Sequence, residues 1–318
     1  MIDWQSSLRQ AIRNPAHLLE LLELPDLKYS TRGFGLLVPK GYVKRMHKGD
    51  PNDPLLRQIL PLPEENQQVE YFSNDPVGDI AAEKIPGLLQ KYHGRVLLVL
   101  TTACAIHCRY CFRQHTKFSI SQYQAILANI NSDPSITEVI LSGGDPLILP
   151  DDYLDKLINS IAKIPHIKRL RIHTRLPIVL PERINSTLLA ALTQTRLQLV
   201  IVVHVNHANE IDANVKQILQ SLLAAGITLF NQSVLLRGIN DNITALANLS
   251  EALFNCGVLP YYLHLLDRVQ GAAHFEVPES QAIELLKQMQ VQLPGYLVPK
   301  MVREVAGAAY KQPIEITY

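Results

Sequence analysis

Apolar, strand-like runs alternate with amphipathic, helix-like stretches over most of this chain, which predicts an α/β protein built on a parallel sheet. Six strand-like runs fall at residues 96–101, 138–142, 169–174, 197–205, 228–235 and 260–266. Helix-like stretches at 121–130, 152–164, 184–192, 214–225 and 243–255 separate them, and another at 279–289 follows the sixth. These spacers suit right-handed crossovers between parallel strands. Composition agrees: 318 residues, 47% hydrophobic and 19% charged, are enough for a large core and argue against disorder. The strands are apolar enough to be covered on both faces, and periodicity alone leaves an open sheet and a barrel equally allowed.

The first 94 residues read as an accessory segment packed on that core. Up to about residue 30 the pattern is helical. Asn14-Pro15 is a start signal, with Asn as cap and Pro at the first helical position. Leu18, Leu19, Leu21 and Leu22 then predict one apolar face. Residues 31–75 are rich in Gly, Pro and charge, with one strand-like piece at 35–39 and turns at Asp50-Pro51 and Asp53-Pro54. Residues 95–292 hold the strand–helix units, and 293–318 form a short C-terminal segment.

A formal net charge of +1 gives no broad basic surface for nucleic acid. The start, Met1-Ile-Asp-Trp-Gln, is polar at once and lacks a signal-peptide pattern. No apolar run is long enough to span a bilayer. The expectation is a cytoplasmic protein with no nucleic-acid or membrane partner, in a reducing compartment that suits free thiolates.

Three cysteines crowd one loop after the first strand, in Cys104-Ala-Ile-His-Cys108-Arg-Tyr-Cys111. Three thiolates on one short loop can hold three corners of an iron–sulfur cube and leave the fourth iron for chemistry. A zinc site is the rival. It would need a fourth ligand, and His107 and His115 are near, but no second cysteine pair exists. Cys256 stands alone after a helix-like stretch and reads as a buried core thiol.

The C-x3-C-x2-C loop resembles the signature of the radical S-adenosylmethionine (SAM) enzymes. The second strand ends in Gly143-Gly144-Asp145, which resembles the Gly-Gly-Glu motif whose backbone meets the SAM amino group. Polar clusters follow at three further strand ends: Arg171-Ile-His-Thr-Arg175, His204-Val-Asn-His207 and Asn231-Gln-Ser233. Clusters that share one face of a sheet point to a site. Longer stretches narrow the resemblance to lysine 2,3-aminomutase, which also uses pyridoxal 5′-phosphate (PLP). They are Cys108-Arg-Tyr-Cys-Phe-Arg113, Arg171-Ile-His-Thr-Arg-Leu-Pro-Ile-Val-Leu-Pro181, Asn206-His-Ala-Asn-Glu-Ile211 and Asn231-Gln-Ser-Val-Leu-Leu-Arg-Gly-Ile-Asn-Asp241. The match runs from about Arg95 to Lys311.

That resemblance implies a partial (β/α)6 barrel with an N-terminal helical extension and a C-terminal segment carrying the PLP lysine. It implies a [4Fe–4S] cluster on Cys104, Cys108 and Cys111, with SAM on the open iron. Lys311 falls at the PLP-lysine position, twelve residues after Pro299, although the usual glycine run is here Ala306-Gly-Ala-Ala-Tyr310. Lys300 is a competitor at the wrong register. Arg95 matches an arginine expected at the PLP phosphate, and Gly143, Gly144, Asp145, Arg175, His204 and Gln232 complete the implied cofactor contacts. Arg113 matches the residue that pairs with the substrate carboxylate, and Asp267 and Glu304 match the pair around its ε-ammonium. The implied reaction is a 1,2-amino shift, through a PLP imine and a 5′-deoxyadenosyl radical, from (S)-α-lysine to (R)-β-lysine.

Asp53-Pro-Leu-Leu-Arg-Gln58, Lys91-Tyr-His-Gly-Arg95, Arg268-Val-Gln-Gly-Ala-Ala-His-Phe275 and Gly295-Tyr-Leu-Val-Pro-Lys300 resemble a short bacterial subgroup of that family. The subgroup implies β-lysine supply for translation elongation factor P. The implied partners are free L-lysine, elongation factor P through its β-lysine ligase, and a flavodoxin- or ferredoxin-like electron donor, with room for a homodimer. Two rivals stay open at this level: a radical SAM enzyme without PLP, and a zinc-binding α/β module.

Overall fold

The computed structural model describes residues 3–115, 118 and 123–316. Ten strands form one sheet in sequential order. They are β1 (Glu83–Ile85), β2 (Leu88–Leu89), β3 (Arg95–Thr101), β4 (Glu138–Gly143), β5 (Arg169–Thr174), β6 (Gln198–Val203), β7 (Thr228–Val234), β8 (Leu259–His264), β9 (Lys300–Arg303) and β10 (Gln312–Pro313). Neighbours from β3 to β9 are parallel, while β1, β2 and β10 pair antiparallel at the two edges. The six expected strands are β3 to β8, with ends within two residues of the sequence reading. Residues 1–94 thus give the sheet two strands at one edge, and residues 293–318 give it two at the other.

Sequential order has no reversal point, so this is a singly wound sheet rather than a doubly wound one. Period-2 alternation separates its faces. Val96, Leu98, Val139, Leu141, Leu170, Ile172, Ile201 and Val203 pack outward against the crossover helices in one buried cluster. Their alternates, among them Arg95, Ser142, Arg171 and His173, line a cavity on the other face. Arg95 of β3 and Lys300 of β9 line the same cavity although their strands are not paired, so the sheet curls into an incomplete barrel.

The crossover helices are Tyr123–Asn131, Asp151–Ala162, Ser186–Thr193, Ala213–Ala224, Ile243–Phe254 and Glu279–Gln292. Ser121, the expected start of the first, lies outside the described residues. Asn185, Asp212 and Asn242 cap three of these helices through their side chains.

Two readings of the N-terminal segment are corrected. The helical region is broken into Trp4–Arg9 and Pro15–Leu21. Asn14 does cap the second, accepting from Ala16 N at 2.9 Å. Leu18, Leu19 and Leu22 are buried there, but Leu21 is 43% exposed and leaves the predicted apolar face. Residues 35–39 form no strand. Val38 makes one isolated bridge to Ile12, and Pro39 then caps the short helix Lys40–Val43. Leu36, Leu37 and Val38 are all buried, so this apolar run serves packing rather than a ladder. Cys256 is 2% exposed within the main core. Among the described residues no helix is long and apolar enough to cross a membrane.

Candidate active site

A cavity of about 920 Å³ lies within the curl of the sheet, and Cys104, Cys108 and Cys111, which follow the C-terminal end of β3, all line it. The cysteine loop is held there by the end of β4. Gly144 N donates to Thr101 O at 2.6 Å and Asp145 N to Ala103 O at 2.8 Å. Both glycines are required by this approach. A Cβ at Gly144 would stand 2.2 Å from Ala103 O, and one at Gly143, where φ is +115°, would stand 2.6 Å from Thr101 O. The close approach therefore serves the cysteine loop itself.

A single tetrahedral zinc needs its ligands converging on one ion. Among the described residues no three Cys, His, Asp or Glu side chains do so. A cubane puts each thiolate on a different iron and needs no such convergence. The two nearby histidines are occupied elsewhere: His107 Nδ1 donates to Gly35 O at 2.7 Å, and His115 Nε2 donates to Gln270 O at 2.9 Å. Burial pushes the Cys104 thiol well up and the Cys111 thiol up to about 11. Metal loading of such thiols releases protons.

Asp145 and Arg175 support the loop from behind. The Asp145 carboxylate accepts from Thr174 Oγ1 at 2.7 and 2.9 Å, Arg175 N at 2.7 Å, and the Leu147 and Leu176 amides at 3.1 Å. Its side chain thus ties the ends of β4 and β5 together. Arg175 donates to Cys108 Sγ at 2.7 Å, Tyr110 OH at 3.0 Å, Tyr42 OH at 3.1 Å, and Gln58 Oε1 and Glu210 Oε2 at 2.7 Å. Burial opposes ionisation of Glu210, but Arg175 and the surrounding donors outweigh it and keep the carboxyl low.

Across the cavity runs a row of alternating charges. Arg113 Nε meets Asp79 Oδ2 at 2.7 Å, and Asp79 Oδ1 meets Lys91 Nζ at 2.6 Å. Lys91 Nζ meets Glu304 Oε1 at 2.9 Å, and Glu304 Oε2 pairs with Lys311. Burial disfavours the Glu304 charge, yet Lys311 and Lys91 prevail and hold the carboxyl at about 2. Asp267 is the opposite case: burial, then Glu304, push it up to about 7.

Lys311 Nζ lies 5.9 Å from the Tyr262 ring centroid, within the cavity. Lys300 lines the same cavity but is exposed, whereas Lys311 is partly buried. The Arg95 guanidinium stacks 5.0 Å from the Tyr92 ring centre, and its buried Nε has no partner. His264 is 3% exposed and its Nε2 is unpartnered too. His204 Nε2 sits 3.2 Å from His173 Nδ1, and burial, then Arg175, bring His204 down to about 4. Gln232 lines the wall beside them. A lysine amine held by one carboxylate, a guanidinium with an unpartnered Nε and neutral imidazoles in one partly closed cavity fit an anionic aromatic cofactor such as PLP.

Sequence reasoning missed Asp79, Tyr42, Gln58, His173 and His264. Asp79 comes from the irregular N-terminal segment and carries no motif, and Gln58 closes the stretch Asp53–Gln58, in which nothing marks it for the site. His173 and His264 alternate with buried apolar neighbours on β5 and β8, and that period-2 placement was the available signal.

Comparison with known proteins places these features. Residues 92–174 match the family model described as "4Fe-4S single cluster domain". L-lysine 2,3-aminomutase of Escherichia coli K12 is 45% identical over 99% of this chain and 95% of its own length. The chain belongs to the lysine 2,3-aminomutase family. The aminomutase of Haemophilus influenzae is 44% identical over 97% of this chain and 94% of its own length. That of Clostridium subterminale is 31% identical over 99% of this chain, but only 78% of its own length is matched. The crystal structure of Streptococcus suis SuiB shares the fold alone, with a TM-score of 0.51, 11% identity, and coverage of 67% of this chain and 50% of that one. Membership makes this a radical SAM enzyme of the isomerase class, with a [4Fe–4S] cluster and SAM as cofactors.

Proposed function

We propose that this protein is a lysine 2,3-aminomutase that converts (S)-α-lysine to (R)-β-lysine with PLP as a third cofactor. The observation that carries the reading is one cavity that brings Cys104, Cys108 and Cys111 together with Lys311, Arg113, Asp267 and Glu304. When bound, the reduced cluster and SAM supply a 5′-deoxyadenosyl radical, and PLP supplies the conjugated system through which an amino group moves to the neighbouring carbon. Lys311 holds the PLP, and the unpartnered Arg95 guanidinium takes its phosphate. His204, Gln232 and the backbone at Gly143–Gly144 line the space between the thiols and Lys311. Arg113 binds the substrate carboxylate, while Asp267 and Glu304 receive the ε-ammonium. Carboxylates at one pole and a guanidinium at the other favour a long dibasic amino acid over glutamate or alanine. The buried walls exclude water and hold the reacting carbons in place.

The product's role is to supply β-lysine for modification of translation elongation factor P. The subgroup-like stretches, such as Lys91-Tyr-His-Gly-Arg95, support this. An external flavodoxin- or ferredoxin-like protein reduces the cluster.

Anaerobic protein reconstituted with iron, sulfide and PLP, then given reductant, SAM and (S)-α-lysine, should yield (R)-β-lysine by chiral chromatography. Lys311→Ala should keep the cluster and lose both lysine-bound PLP absorbance and turnover. Absence of β-lysine from the loaded wild type would sink the assignment. For the biological role, deleting the gene should remove the β-lysyl mass from elongation factor P, and an unchanged mass would overturn that part.

A further inference from the structure

Arg113 and Glu304, the two poles of the proposed substrate site, sit on segments that the sheet does not join. Arg113 follows the cysteine loop, and Glu304 follows β9 at the far end of the parallel array. What spans them is a pair of side chains. Asp79 is 1% exposed, and each of its oxygens takes one cation: Arg113 at 2.7 Å and Lys91 at 2.6 Å. Lys91 Nζ also donates to Val77 O and Glu304 Oε1, both at 2.9 Å. Lys91 Nζ thus meets three protein oxygens, two by hydrogen bond and Asp79 Oδ1 as an ion pair, so its charge is spent within the wall. Arg113 differs. It contacts Asp79, Ser142 Oγ at 3.2 Å and Gly143 O at 3.4 Å through Nε and Nη1, which leaves Nη2 for a carboxylate. Packing reinforces the span, since a Cβ on Gly78 would come within 3.0 Å of Ala306 Cβ.

We propose that Asp79 and Lys91 are positioning residues that fix the separation between Arg113 and Glu304, and so set the length of the diamino acid the site accepts. This rests on the lysine-binding reading above. The series Arg113–Asp79–Lys91–Glu304 is a spacer of ion pairs in a poorly hydrated wall, where charges resist displacement. One methylene more or less in the ligand moves its ammonium by about 1 Å, a mismatch of the size that discriminates by about ten-fold or more.

The test uses unreduced holoenzyme, which binds without turnover, and titrates it calorimetrically with L-ornithine, L-lysine, L-homolysine and L-norleucine. Wild type should prefer lysine to its two homologues by about ten-fold or more. Lys91→Met should flatten that ranking, while norleucine, which offers only a carboxylate to Arg113, binds within about two-fold of wild type. Lys91→Arg keeps the charge and lengthens the spacer, and should move the optimum toward homolysine. Iron content and circular dichroism show whether each variant is folded. If Lys91→Met does not fold, Lys91→Arg decides alone. An unchanged ranking in the folded variant overturns the spacer while leaving lysine binding intact. Failure of wild type to bind lysine overturns the functional reading and the spacer with it.

Discussion

Arg175 is a side chain on which buried polar contacts behind the cysteine loop converge. It neutralises Glu210, which is 0% exposed, and touches Cys108 Sγ. Removing one member of such a pair strands the other charge out of water. Arg175→Met should therefore cost about 3–5 kcal/mol in urea unfolding. Arg175→Met combined with Glu210→Gln should recover a large part of that loss, because the uncompensated charge goes with it. A double variant no more stable than the single one would mean that the cost lies in packing. Arg175 itself was legible as the second arginine of a motif. Its role was not, because Tyr42, Gln58 and Glu210 lie far from it in sequence.

Asp267 gives the site a pH dependence of definite sign. Its carboxyl is raised to about 7, so in the ligand-free fold it is protonated below that pH and charged above it. Folding thus favours its neutral form. The stabilisation is complete below the ordinary carboxylate value and is lost as pH rises through about 7. An incoming ammonium reverses the preference. Lysine affinity should increase as pH rises through about 7, and Asp267→Asn should flatten the profile, as calorimetry across that range will show. Glu304, already ionised beside Lys91 and Lys311, should add no step there.

Among the elements, the β4 end was the most easily underestimated. Gly143-Gly144 reads in sequence as a place where a ligand meets backbone. The structure gives the pair a prior task, seating the cysteine loop against Thr101–Ala103. Gly144→Ala forces a methyl group onto a backbone carbonyl that no rotamer change can relieve. It should lower stability by about 1–3 kcal/mol and reduce the iron bound per chain after anaerobic reconstitution. Gly295→Ala, where an added Cβ meets nothing within 4 Å, is the control and should change neither. Full iron loading in Gly144→Ala would show that the loop can seat itself another way.

The six long strands were legible because five to nine residues are enough to display a period. β1, β2 and β10 were not, since two or three residues carry no pattern. β9 was hidden in Lys300-Met-Val-Arg303, where the PLP-lysine register drew attention to Lys311 rather than to the alternation before it.

At the level of the whole molecule, the α/β class and the parallel direction follow from strand–helix alternation alone. Strand order does not, and the resemblance to a known family supplied the curl. The site residues divide the same way. Lys311, Arg113, Asp267 and Glu304 could be placed by motif, because each stands at a fixed distance from a recognisable neighbour in the chain. Asp79 could not. It is one aspartate in an irregular stretch, and its meaning comes only from the fold that brings Lys91 and Arg113 to its two oxygens.

The incomplete barrel also has a consequence in time. Each parallel strand pairs with the next in the chain, so the sheet can grow by short-range additions as the polypeptide emerges. The contact between Lys91 and Glu304 spans 213 residues and closes a long loop in the wall. It must wait for the C-terminal segment. Until Glu304 and Lys311 dock, the cavity lacks one side, and the approach to Cys104, Cys108 and Cys111 is open there.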